Sequence, residues 1–226
     1  MENFEKIVLN IPHSSKNMPI NTWDGDIESE IEKWTDTYTD VLFSPNCHFD
    51  KIDVVACRVS RFFCDVERLL NDPLEKDGKG IFYTDFNGCH RCLDHELFSM
   101  VMQLWWQHQR LLSASIIRHC LVLDCHSFPD EVAPEVDICI GFNEHDWSKP
   151  SLEFIEKVCV FFEGYGYRVA LNNPYSNSIT PHHDFPYKSL MIEVNKRLYL
   201  NPQGEKLGSM YKLNEALNYL YQIILE

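Results

Sequence analysis

Residues 120–127 read CLVLDCHS, an apolar run that ends in aspartate, histidine and serine. Three other stretches share this design: Lys6–Ser14 (KIVLNIPHS), Asp53–Arg61 (DVVACRVSR) and Ser189–Asn195 (SLMIEVN). Near-continuous apolar runs of this length are what strands covered on both faces look like. In open α/β sheets, ligands gather beyond the carboxyl ends of the strands. His13, Arg61, His126 and Glu193 all fall at such ends, so four reactive groups converge on one edge of the expected sheet.

Helical stretches separate these runs. They are expected at Ile27 to Phe43, Leu93 to His119, Ser151 to Gly164 and Leu207 to Leu225, with further strands at Asp137–Phe142 and Tyr167–Leu171. This alternation predicts an α/β fold, a three-layer sandwich with a mixed, mostly parallel sheet. With 226 residues and no linker, repeat or low-complexity segment, one domain over 1–226 is the economical organisation. Asp72–Gly88, rich in Asp, Gly and Lys, is the most loop-like stretch and is placed to cover a cleft.

Composition narrows the function. Formal net charge is −14, which repels a phosphate backbone, and no basic stripe offsets it, so nucleic acid is not an expected partner. No apolar run approaches the roughly 18–20 residues of a membrane span, and MENFEKIVLN carries no secretory pattern. Nine cysteines, mostly single within apolar runs, fit buried thiols in a reducing compartment, so the expected location is cytoplasmic. A small molecule is the expected partner.

Zinc takes imidazole and carboxylate ligands, and catalytic sites keep a position open for water. His13 and His126 each follow a buried run and precede a serine. Asp36, in WTDTYTD at an expected helix start, could reach the same cleft. The spacing is long and irregular, with no HExxH, and backbone groups at the strand ends could satisfy both histidines instead. Glu193 sits among apolar residues, either as a general base or as an ion-pair partner for a residue such as Arg197. Arg61 and Arg68 in SRFFCDVER offer rigid forks for a carboxylate, unless Asp65 simply pairs with them. One arginine is expected on the substrate and the other in a structural role. His108, in a helix beside Trp105 and Trp106, could donate to an oxyanion or merely pack. Cys89 and Cys92 form one CxxC around His90, but no second pair follows it. His182 and His183 read as loop residues near a site mouth.

Seven segments, in order, resemble the N-formylglutamate amidohydrolase family. IPHSS (11–15) resembles its PHSG, TDTYTDVLF (35–43) its TD segment, and SRFFCDVER (60–68) its SR…D.NR motif. WWQHQRLL (105–112) resembles an aromatic-rich PYH helix and DCHSFP (124–129) the DxHS motif. LNNPYSNSITP (171–181) resembles the N.PY.GG loop, and MIEVNKRLYL (191–200) the closing E-N-R-Y-L segment. The resemblance implies an α/β sandwich similar to the zinc carboxypeptidases. It implies Zn2+ held by His13, Asp36 and His126, with Asp36 preferred to Asp40 because it falls where the family's TD aspartate does. Glu193 would be the base and His108 a second catalytic group, with Arg61, Arg68, Ser127, Asn172 and Tyr175 binding substrate. The implied activity is hydrolysis of N-formyl-L-glutamate to formate and L-glutamate, a step in histidine breakdown. Alternatives are a zinc amidase acting on a peptide or cell-wall amide, and a non-catalytic metal-binding member.

The sequence departs from the pattern at three places. Ser15 replaces the glycine after HS, and Asn177-Ser178 replaces the paired glycines after PY. Asparagine tolerates positive φ better than most residues, so that loop can keep its shape. Glu67 stands where the family has asparagine, and an acid beside Arg68 could alter dicarboxylate binding.

Overall fold

A computed structural model describes residues 2–226. Its centre is a six-stranded sheet built from β1 (Lys6–Ile11), β2 (Ile52–Ala56), β5 (Cys120–Phe128), β6 (Ile138–Gly141), β7 (Val169–Leu171) and β8 (Lys188–Asn195). The strand order is β2-β1-β5-β8-β6-β7. The pairs β2/β1, β1/β5, β5/β8 and β6/β7 are parallel, and only β6 runs antiparallel to its neighbour β8. The sheet is therefore mixed and mostly parallel, as the apolar runs predict.

Side-chain parity sorts the strand residues into two cores. Ile7, Leu9, Ile11, Leu121, Leu123, Cys125, Leu190 and Ile192 face one side. There they meet helix α4 (Leu152–Gly164) through Phe154, Val158 and Phe162, and helix α5 (Ser209–Leu225) through Leu213, Leu217 and Tyr221. Val8, Val55 and Val122 face the other side, against Leu112 and Ile116 at the end of helix α3 (His95–Ser115) and its C-cap. These are the three layers expected. Helices α3 and α4 are capped by side chains, with Asp94 accepting from Leu97 N–H and Ser151 from Phe154 N–H.

Two expectations are corrected. The stretch 27–43 is not one helix: α1 (Ile27–Trp34) stops at Thr35, whose backbone is extended, and α2 (Thr39–Leu42) follows Tyr38 at φ +65°. Asp36 therefore lies in the break between two helices, not at a helix start. The second correction is at β2, which ends at Ala56. Cys57 N–H still bonds Ile11 C=O, but Ser60 N–H bonds Asn17 C=O and the chain turns away. Arg61 consequently sits in a turn beyond the strand.

The 72–88 region is partly ordered by a 3₁₀ turn over Pro73–Asp77 and by a small hairpin of β3 (Asp85–Phe86) and β4 (Cys89–His90). Arg91 fastens this hairpin. Its guanidinium is buried, has no carboxylate partner among the described residues, and donates to the carbonyls of Phe62 (2.9 Å) and Phe63 (3.0 Å).

Candidate metal centre

Beyond the carboxyl ends of β1, β5 and β8, on the face that α3 covers lower down, lies a cleft of about 410 Å³. Parity builds its floor: Asp124 and His126 of β5 share a face, and His126 pairs in register with Glu193 of β8. His13 follows Pro12 two residues beyond β1. Asp36 is docked to it by a backbone bond from Asp36 N–H to His13 C=O (2.9 Å). The Asp36 carbonyl is in turn held by the Thr39 hydroxyl (2.8 Å).

His13, Asp36 and His126 bring one ligand atom each to a common point, and all three side chains are buried. Asp36 Oδ2 lies 3.1 Å from His126 Nδ1 and 3.8 Å from His13 Nδ1. Bonds of about 2.0–2.1 Å in a tetrahedron would set ligand atoms about 3.3 Å apart. Buried His13 Nδ1 has no hydrogen-bond partner of its own. Two imidazoles, one carboxylate and an open side toward the cleft fit a divalent ion of the zinc type.

The far nitrogen of each imidazole faces a carboxylate. His13 Nε2 lies 2.8 Å from Asp65 Oδ1, and His126 Nε2 lies 3.2 Å from Asp124 Oδ1. For His13 this bond would place the proton on Nε2 and free Nδ1 for a metal, whereas His126 Nε2 is close to Asp124 without a hydrogen bond and its Nδ1 bonds Asp36. Glu67 lies near both Nε2 atoms, at 3.6 Å and 3.4 Å. Burial alone would depress the His126 imidazole, but Glu67, Asp124 and Asp36 hold it well above the ordinary histidine range. Burial would raise Asp65, but His13, Arg61 and Arg68 hold it well below the usual carboxylate range. Glu193 goes the other way. Its burial, reinforced by Asp36 and Glu67, pushes it up to about 8, and its Oε2 has no partner. Five carboxylates thus surround the site against two guanidiniums, a balance that favours a cation.

Arg61 and Arg68 both line the cleft. Asp65 takes Arg61 Nη2 at 3.3 Å and stands 3.4 Å from Arg68 Nε, and it also accepts from the Tyr83 hydroxyl at 3.0 Å. Both guanidiniums share Asp65 as a neighbour. Each guanidinium leaves a buried Nε without a hydrogen-bond acceptor. Ser127 and Tyr175 line the cleft too, and the Ser127 hydroxyl is buried and unpartnered. As expected, the 72–88 region covers the cleft, contributing Lys79, Tyr83, Phe86 and Asn87.

Other residues named from the sequence lie elsewhere. Asn172 is not in the cleft lining; at φ +49°, it accepts Phe142 N–H (2.9 Å) and shapes its loop. Asn177 adopts φ +75°, so asparagine does serve there in place of glycine. Asp40 stands apart from the histidines, 3.7 Å from Arg58. His108 is buried on α3 and bonds Asn10 (2.9 Å), which keeps it out of the cleft and away from any oxyanion in it. His182 and His183 are not at the site mouth: His183 bonds Ser113 and His182 lines a groove along α3. In the sequence, Asn10 and Asp124 stand out from no motif of their own, and Asp65 reads only as an arginine partner. The signal was available, since a polar residue two positions after Val8 or Val122 must share its face.

The sequence matches the N-formylglutamate amidohydrolase family over residues 5–200. The fold is similar to that of an N-formylglutamate amidohydrolase from Ralstonia eutropha JMP134, with a TM-score of 0.76 at 17% identity, covering 99% of this chain and 94% of that one. It is also similar to a gene product from Agrobacterium tumefaciens, with a TM-score of 0.64 at 18% identity, covering 98% and 92%. No curated protein matches the sequence. With a match that takes in most of its length, the chain belongs to the N-formylglutamate amidohydrolase family.

Proposed function

We propose that the chain is a single-domain, zinc-dependent amide hydrolase that cleaves N-formyl-L-glutamate to formate and L-glutamate. The observation that carries this reading is the meeting of His13, Asp36 and His126 beside the unpartnered carboxylate of Glu193. His13 Nδ1, His126 Nδ1 and an Asp36 oxygen would hold the ion. When bound, zinc supplies Lewis acidity that acidifies water and polarises a carbonyl.

The protein's own groups account for the remaining steps. Arg61 and Arg68 each keep a buried Nε without an acceptor, and two substrate carboxylates would supply those acceptors. Glu193 takes a proton from the attacking water and returns it to the departing amine nitrogen. Its raised affinity for a proton, from burial, suits it to hold that proton between the two steps. Ser127 and Tyr175 offer hydroxyls to the substrate from the cleft wall. Nine free thiols and an acidic surface support a cytoplasmic enzyme of small-molecule breakdown, consistent with a step in histidine catabolism.

Formate release from N-formyl-L-glutamate, measured with metal-stripped protein before and after zinc addition, tests the reading directly. Zinc-restored turnover is expected, and no formate under either condition would overturn it. One observation favours a second reading, the same chemistry on a different N-acyl amino acid. The Glu67 carboxylate stands in the cleft near Arg68 and would oppose an anionic side chain. A substrate panel run on the wild type and on Glu67→Asn separates the two: the second reading expects the variant to gain on acidic substrates relative to neutral ones.

A further inference from the structure

Behind His126 runs a buried polar chain that the proposed reaction does not use. His108 Nε2 lies 2.9 Å from Asn10 Oδ1, and Asn10 Nδ2 lies 2.7 Å from Asp124 Oδ1. Asp124 Oδ1 lies 3.2 Å from His126 Nε2, and Asp124 Oδ2 accepts Ile179 N–H at 3.0 Å. Asn10 and Asp124 are fully buried and paired across β1 and β5, and His108 comes from α3 above them.

The chemistry of these groups fixes the direction of every bond. A carboxylate can only accept, so Asn10 must present its NH₂ to Asp124 and its oxygen to His108. His108 must then donate through Nε2. At the other end, Asp124 Oδ1 stands 3.2 Å from His126 Nε2 without making a hydrogen bond, while His126 Nδ1 bonds Asp36 Oδ2; with an ion in place of the Nδ1 proton, the remaining proton would sit on Nε2, facing Asp124. Three buried polar groups at a sheet–helix interface are costly unless each is satisfied, and apolar residues would fill the same space more cheaply. Their surroundings are indeed apolar, with Val8 and Val122 one alternation below and Leu112 one turn along α3.

We propose that Asn10 and His108 are positioning residues for the metal centre: through Asp124 they hold His126 in the tautomer and ring orientation that presents Nδ1 to the ion. The inference rests on the zinc reading above but concerns residues that touch neither ion nor substrate. Burial pushes His108 down to about 4, so it is neutral at working pH and supports the same donor pattern.

The test measures the zinc dissociation constant by chelator competition on the full chain, with folding of the stripped proteins followed by circular dichroism. Asn10→Leu should fold and bind zinc roughly ten- to a hundredfold more weakly. His108→Leu should weaken binding in the same direction, and His108→Gln, whose amide NH₂ can donate where Nε2 did, should recover most of it. Folded variants that all bind zinc as the wild type does would overturn the positioning role alone. If Asn10→Leu does not fold, the His108 pair decides: equal affinity for Leu and Gln overturns the proposal, and rescue by Gln upholds it. A wild type that takes up no zinc would overturn the metal reading and this role with it.

Discussion

His126 and Glu193 stand side by side on neighbouring parallel strands, paired in register and pointing to the same face. In the proposed reaction one is a metal ligand and the other the base. Their separation is therefore set by the hydrogen-bonded spacing of β5 and β8, not by a loop.

Glu193→Gln removes the base while keeping shape and hydrogen bonding. It should retain zinc at the wild-type stoichiometry and lose about 10²- to 10⁴-fold in turnover. His126→Ala should lose the metal. Metal analysis of both proteins beside the formate assay decides the matter; equal metal loss in the two would reverse the assignment of roles.

Arg61→Lys and Arg68→Lys keep the charge but lose the planar fork. A charge-assisted hydrogen bond contributes about 1.5–3 kcal/mol, so each change should raise KM roughly ten- to a hundredfold with a smaller effect on kcat. Steady-state kinetics would show it. An unchanged KM in both variants would remove the arginines from substrate binding.

Asp137 is held at about 2: burial would raise it, but hydrogen bonds from Arg168 and Arg197 lower it further. Arg168 approaches through Nε at 3.0 Å and through its backbone N–H at 2.8 Å. An unfolded-state aspartate titrates near 3.9. The folded value is the lower one, so the contribution to stability is complete above about pH 4 and fades as pH falls toward 2. Urea denaturation should show Asp137→Asn less stable than wild type at pH 6, with the gap closing near pH 2.5. A gap undiminished at pH 2.5 would contradict the pairing.

Arg91→Met preserves the aliphatic stem but leaves the Phe63 carbonyl without its donor, while the Phe62 carbonyl keeps only Trp23 Nε1. Each orphaned buried acceptor costs about 1–3 kcal/mol. A lower urea midpoint is expected, with faster amide exchange in 61–65 and in the hairpin 85–90. If exchange accelerates only in the hairpin, the guanidinium does not support the arginine turn.

The central strands were legible because burial on both faces writes itself as apolar runs, as in CLVL and SLMI. His13, His126 and Glu193 were legible because they interrupt those runs near the ends. Asp36 reads in the sequence as a helix start but lies in the break between α1 and α2. The acidic, mixed pattern of 27–43 suits a helix, and only the docking of Asp36 N–H on His13 explains the break there. Beside its tryptophans His108 reads equally as packing or as an oxyanion donor, and the family resemblance points to the second. Its actual partner, Asn10, lies 98 residues away, a pairing that local sequence cannot express. Asp65 was underestimated for the same reason, since its importance comes from gathering His13, Arg61 and Tyr83 around one carboxylate.

The two-residue alternation of β8 carries a consequence for how this gene can change. Met191 and Glu193 face the cleft side, while Leu190, Ile192 and Val194 belong to the core against α4 and α5. Inserting or deleting a single residue upstream within the strand would swap the two sets, burying a carboxylate in the hydrocarbon layer and lining the cleft with isoleucine. Such a change would remove the base and the core in one step. Insertions tolerated by this strand should therefore come in even numbers, or be absorbed in the loop before Lys188.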